Sequence, residues 1–136
     1  MRKEIKQRIF NKVTNHLLTQ MKQAISDSHQ CRYKTDDGFK CAVGCLISNE
    51  SYSTEFEEKD FEQVYSMSEE FAGIMEHLCK VNSLSENDID FFMSLQSLHD
   101  NNDPDHWEFC LKEFAKKHDL QFNWKGGRVR SNAISC

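Results

Sequence analysis

Apolar residues recur every fourth position at the start of the chain. Ile5, Ile9, Val13, Leu17 and Met21 form one stripe, and Phe10, Leu18 and Ile25 broaden it. This period predicts a long amphipathic helix over residues 2–26. Asp37-Gly38 then stands between two short apolar-bearing runs, a turn signal that predicts a small β-hairpin. The run Cys41–Ile47 fits a buried strand or a short buried helix, and periodicity alone does not separate the two. Residues 48–65 are polar and acidic, with Tyr52, Phe56, Phe61 and Tyr65 scattered through them. They predict an ordered loop pinned to the body by its rings.

Helical spacing returns after the loop. Ser66-Met-Ser-Glu69 fits a capping box and predicts a helix to about Lys80, with Phe71, Ile74, Met75 and Leu78 inward. Ser85-Glu-Asn-Asp88 opens another helix to about His99, which turns Ile89, Phe92, Leu95 and Leu98 inward. Asp103-Pro104 places an N-cap before a proline at the first helical position. The helix it starts carries Trp107, Cys110, Leu111 and Phe114 to near His118. The pattern therefore predicts a mainly α fold, a compact bundle of about four helices with a small β-hairpin. Residues 1–120 form a single helical domain, and 121–136 a basic C-terminal segment that is either a hairpin about Gly126-Gly127 or a flexible tail.

Composition narrows the class. Among 136 residues, 38% are hydrophobic and the only proline is Pro104, which excludes collagen-like and largely disordered chains. No apolar run approaches the roughly 18 residues of a membrane span. The first ten residues, MRKEIKQRIF, are charged and lack the apolar stretch of a secretory signal, so a cytoplasmic protein with reduced cysteines is expected. The net charge of −5 is unevenly spread. Residues 1–40 carry nine bases and four acids, 41–119 five bases against eighteen acids, and 120–136 three bases and no acid. A basic first helix and tail could pack beside acidic helices, or present a basic surface to an anionic partner. The acidic body and lack of a nucleic-acid-binding motif argue against nucleic acid as the main partner.

Four groups could carry chemistry. Cys31, Cys41 and Cys45, with a histidine as fourth ligand, could hold zinc, since thiolate and imidazole are its tetrahedral donors. Their spacing forms no paired C-x2-C knuckles and equally suits core packing. Cys41, at the possible start of a short helix, could be a nucleophile with His99 as base, and His106 or His118 as other candidates. His99-Asp-Asn-Asn-Asp103 gathers oxygen donors but lacks the glycine and terminal glutamate of an EF-hand, and it also reads as a helix end followed by a capped start. Trp124, Lys125, Arg128 and Arg130 join an aromatic ring to bases suited to an anionic ligand. Tyr33, Trp107, Trp124, Arg128 and Arg130 are the residue types expected to anchor a binding surface.

The segment Cys31-Arg-Tyr33, then Gly38-Phe-Lys-Cys41-Ala-Val-Gly44-Cys45-Leu-Ile47, followed by Glu50 and Tyr52, resembles a family of small bacteriophage and prophage proteins. Their core reads C-x-Y…G-x-K-C-A-V-G-x-L-I, before an acidic, tyrosine-bearing loop. Leu95-Gln-Ser-Leu98-His99-Asp100, Trp107, Phe114-Ala115 and His118 resemble the family's second half. The resemblance spans roughly residues 20–120 and leaves the basic tail outside. Many members carry proline where this chain has Ser48, so the following loop can differ. The family carries no assigned activity. The resemblance implies an accessory protein of bacterial cytoplasm that binds a host protein or a small anionic, nucleotide-like ligand and interferes with a host process such as antiviral defence. A cysteine-dependent hydrolase or transferase, or a zinc-stabilised structural module, is the alternative. A homo-oligomer stays open, no membrane partner is expected, and no cofactor is expected beyond a possible zinc ion.

Overall fold

The computed structural model describes residues 1–124, which form five α-helices and two 3₁₀ turns with no strand or sheet among them. Helix α1 (Lys3–Gln20) buries Ile5, Ile9, Phe10, Val13, Leu17 and Leu18, the predicted stripe. It stops six residues earlier than its apolar spacing predicts. Met21 turns left-handed (φ 48°) and donates its N–H to the Leu17 carbonyl. Beyond it, glutamines replace the helical ladder. The Gln20 amide donates to the Lys22 and Lys40 carbonyls, and the Gln23 amide to the His99 and Asn102 carbonyls. Side chains thus satisfy backbone groups that water or a helix would otherwise take.

The expected hairpin is not formed. Its turn exists: Gly38 adopts φ +92°, its N–H reaches the Thr35 carbonyl (3.0 Å), and Thr35 Oγ1 accepts the Phe39 N–H (3.0 Å). Pairing nevertheless ends in two isolated bridges, Lys34–Lys40 and Ile25–Cys31. Side-chain acceptors take donors that a ladder would need. Glu57 accepts the Tyr33 and Lys34 N–H groups, and Gln20 Oε1 accepts that of Lys40. Cys41–Ile47 is neither strand nor α-helix but a turn leading into 3₁₀ geometry at Gly44–Leu46. Gly44 is required there, because a Cβ would lie 1.9 Å from the Tyr33 carbonyl oxygen.

Part of the acidic stretch read as loop is helical. Helix α2 (Phe61–Met67) starts at Asp60, whose carboxylate accepts the Gln63 N–H while Gln63 accepts the Asp60 N–H. Ser66 therefore lies inside α2, and Ser68 caps α3 (Glu69–Cys79) by accepting the Phe71 N–H. Helix α4 (Glu86–Asp100) begins at the predicted Ser85–Asp88 box, and α5 (Pro104–Lys117) at the predicted Asp103-Pro104.

Helix α1 packs on α5, α5 on α4, α4 on α2, and α2 on α3. Rings bind this order into one core. Phe10 of α1 stacks on Phe114 of α5 (5.6 Å), which meets the edge of Phe91 on α4 (5.6 Å). The neighbouring Phe92 stacks on Phe61 of α2 (4.7 Å), and Phe61 meets Phe71 of α3 (5.3 Å). Such contacts each add about 0.5–1.5 kcal/mol beyond area burial. Phe56 brings the 3₁₀ turn at Thr54–Phe56 into the same core. No helix among the described residues is long and apolar enough to cross a membrane.

Candidate functional site

The last turn of α4 gathers more polar groups than any helix packing requires. Gln96 and Asp100 share a face at i, i+4, and the Gln96 amide donates to Asp100 Oδ1 (2.8 Å) while its oxygen accepts the Val43 N–H (3.1 Å). His99 is fully buried and stacks on Trp107 at 5.3 Å. Its Nε2 accepts the buried Ala24 N–H (3.0 Å), and its Nδ1 lies 2.7 Å from Asp100 Oδ1. A peptide N–H can only donate, so Nε2 carries a lone pair and Nδ1 carries the proton. Cys31 completes the cluster, its thiol 4.0 Å from the Asp100 carbonyl oxygen.

Donor atoms of Cys31, His99 and Asp100 lie within 4.8 Å of one another, the reach of a metal group. The hydrogen bonds point elsewhere. A cation at Nδ1 would have to displace the proton that Nδ1 donates to Asp100, and one at Nε2 would displace the Ala24 peptide. Burial first, and then Asp100, push the Cys31 thiol up to about 11, which disfavours the thiolate a metal or a nucleophile needs. The cluster as built is a lock between α4 and residues 23–43.

The other predicted thiols fall outside this three-residue group, each with a backbone partner, and Cys41 also meets the Gln96 side chain. Cys41 is fully buried, its sulfur accepts the Gly44 N–H (3.2 Å), and burial pushes the thiol strongly up. Cys45 donates to the Ala42 carbonyl, and burial pushes it up to about 12. The expected zinc trio of Cys31, Cys41 and Cys45 is therefore not gathered. His99, the base expected for Cys41, has both ring nitrogens engaged. The predicted anchors Tyr33 and Trp107 are core residues, 5% and 0% exposed, rather than surface ones. Tyr33 donates its hydroxyl to the Lys59 carbonyl (2.6 Å), and burial raises its phenol. Trp124 is half-buried against the core, while Arg128 and Arg130 lie outside the described residues.

A solvent-facing group is found on α1. Arg8 and Lys12 are exposed one turn apart, and Lys12 and Lys40 are the charged groups acting on the Cys45 thiol, both lowering its pKa against burial. The same two lysines oppose protonation of His16, after burial itself, and His16 Nε2 lies 2.8 Å from the Lys40 carbonyl. Part of the basic N-terminal region does pair with acids, the Met1 ammonium with Asp88 of α4 (3.0 Å) and Lys3 with Asp119 just past the end of α5 (2.6 Å). Among the described residues, Arg8, Lys12 and Lys40 have no carboxylate partner, although Lys40 is half-buried and donates its ammonium to the Ile47 carbonyl (3.4 Å). Sequence reasoning found the charge imbalance but assigned the binding role to the tail. The signal it passed over was Arg8 and Lys12 at helical spacing opposite the apolar stripe. No protein-family model, curated protein or solved structure matches the chain.

Proposed function

We propose that the protein works by binding, as a phage or prophage accessory protein that engages an acidic surface of a host protein and interferes with the process it serves. The observation that supports this reading is the exposed pair Arg8 and Lys12, with half-buried Lys40 beyond them and no carboxylate partner to any of the three among the described residues, on a chain whose net charge is −5. An overall acidic protein that keeps such a face uncompensated can steer one acidic partner while repelling others. The exposed face of a straight helix is convex, which fits a macromolecular surface better than a small ligand needing enclosure.

Fluorescence anisotropy with a labelled Asp/Glu-rich peptide tests the reading, with ATP and a single-stranded oligonucleotide as competitors. The peptide is expected to bind, to weaken with salt as exposed charges are screened, and to lose about tenfold or more in affinity in Arg8→Glu/Lys12→Glu. Absent binding, or binding indifferent to that variant, overturns the reading. Preference for ATP or the oligonucleotide replaces it with a small-anion or nucleic-acid partner. Arg128→Ala/Arg130→Ala asks whether the tail belongs to the surface, and unchanged affinity removes it.

A further inference from the structure

A second surface lies between α4 and α5, lined also by Lys6 of α1 but by none of Arg8, Lys12 and Lys40. The helices leave an open groove of about 980 Å³ with a mixed lining, half-buried Met93 and Cys110 together with Asn87, Asp90, Asn101 and Asn102. Phe109 stands on the α5 wall. It is 64% exposed, against 42% and 43% for the other exposed large apolar residues, Met21 and Met67. Helix α5 already supplies Trp107, Leu111, Phe114 and Ala115 to its own core, so Phe109 lies outside the stripe the monomer buries. A large aromatic ring left this bare is the residue type of an interface centre rather than of solvated surface.

We propose that a second copy of this chain closes the groove, with α5 packed antiparallel to the partner's α5 about a two-fold axis near Glu113. The charge order along the helix carries the choice of occupant. Phe109, Glu113 and Lys117 all line the groove and follow one another at intervals of four, forming one ridge. Reversing this ridge against itself places Lys117 over the partner's Phe109 and within a turn of the partner's Glu113. The same two contacts recur by symmetry. Glu113 also keeps Lys116 of its own helix at 3.3 Å, so cations flank both carboxylates at the axis. A two-fold dimer needs a self-complementary patch, and aromatic, acid and base in this order form one. This interface is independent of the basic face on α1.

Sedimentation velocity on the full chain tests the proposal, with far-UV circular dichroism to check each variant's fold. At about 100 µM, a concentration at which even a weak dimer is populated, the wild type is expected at twice the 16.0 kDa chain mass. Phe109→Ser, which removes nothing from the core, is expected to sediment as a monomer. Glu113→Lys, which sets like charges against each other at the axis, is expected to shift the equilibrium to monomer, and Lys117→Ala, which removes the cation over the partner's ring, to weaken the dimer. A wild type that stays monomeric overturns the proposal, as does a dimer that survives Phe109→Ser. A dimer unchanged in both Glu113→Lys and Lys117→Ala means that the antiparallel pairing is wrong.

Discussion

His99 offers a sharp test of how α4 holds the irregular segment that follows α1. Its two nitrogens do different work, and two amides mimic them separately. Asn places a donor near the Nδ1 position and Gln an acceptor near the Nε2 position. His99→Asn keeps the bond to Asp100 and leaves the Ala24 N–H without an acceptor. His99→Gln keeps the Ala24 bond and removes the donor from Asp100. Ala24 is fully buried, so its orphaned N–H costs about 1–3 kcal/mol. Asp100 is different: its side chain is 31% exposed, Gln96 still donates to the same oxygen, and water can replace the lost donor. That loss falls near the lower end of about 0.5–1.5 kcal/mol. Stacking on Trp107 is lost in both variants and cancels in the comparison. His99→Asn is therefore expected to be less stable than His99→Gln by about 1–2 kcal/mol, with both below the wild type. Urea unfolding followed by circular dichroism reads this as a midpoint lower by roughly 1 M at a typical slope. Equal stability or the reverse order would refute both the tautomer and its role.

Gly44→Ala is expected to cost about 3 kcal/mol or more, because the new Cβ meets the Tyr33 backbone. Gly73→Ala in α3, with nothing within 4 Å of the added Cβ, should instead stabilise by about 0.5–1 kcal/mol, and thermal melts of the pair check the contrast. Burial opposes ionisation of Asp88, but hydrogen bonds from the Met1 ammonium and Ser85 outweigh it and hold the carboxyl below its ordinary value. Its contribution is then present above about pH 4 and lost as pH falls through the lower folded value. The melting advantage of wild type over Asp88→Asn, worth about 1.5–3 kcal/mol at neutral pH, should shrink in that acid range; an advantage constant with pH would sink the pairing. Iodoacetamide near neutral pH should leave Cys41 unmodified in the native protein, and a chelator should leave the melting temperature unchanged. Fast labelling of Cys41 or a chelator-induced drop would restore the catalytic or zinc alternative, respectively.

Helices α4 and α5 were legible because their starts are written in short-range chemistry. Ser85 and Asp88 close a reciprocal box, and Pro104 cannot lie deep inside a helix. The end of α1 was not legible. Ala24 and Ile25 continue its apolar spacing, and what ends the helix is a set of glutamine bonds to residues 40, 99 and 102. Helix α2 was hidden by its two turns and acidic flanks, although Asp60 and Gln63 carried a capping signal as clear as the one read at Ser66. The candidate site shows the same limit. His99 and Asp100 adjoin in sequence, but the acceptor role of Nε2 depends on a peptide 75 residues away. Tyr33 and Trp107 were placed at the surface because aromatic identity suits interfaces, and it suits cores equally.

Most of residues 21–60 lie outside regular helix and sheet, so their backbone groups need other partners. Glu57 alone accepts from the Tyr33 and Lys34 backbones and from the Tyr52 hydroxyl, with Arg32 at 3.7 Å. Gln20, Gln23, Gln96 and His99 do the same at the other side of the segment. Each of these side chains has few donors and acceptors, and those that fix a loop are withdrawn from solvent chemistry. The residues that looked most reactive in the sequence are thus occupied in holding a long irregular segment against α4. Arg8, Lys12 and Phe109 carry no such duty. Removing them leaves the interior intact, so substitutions there separate recognition from folding in a way that no change at Cys41 or His99 can.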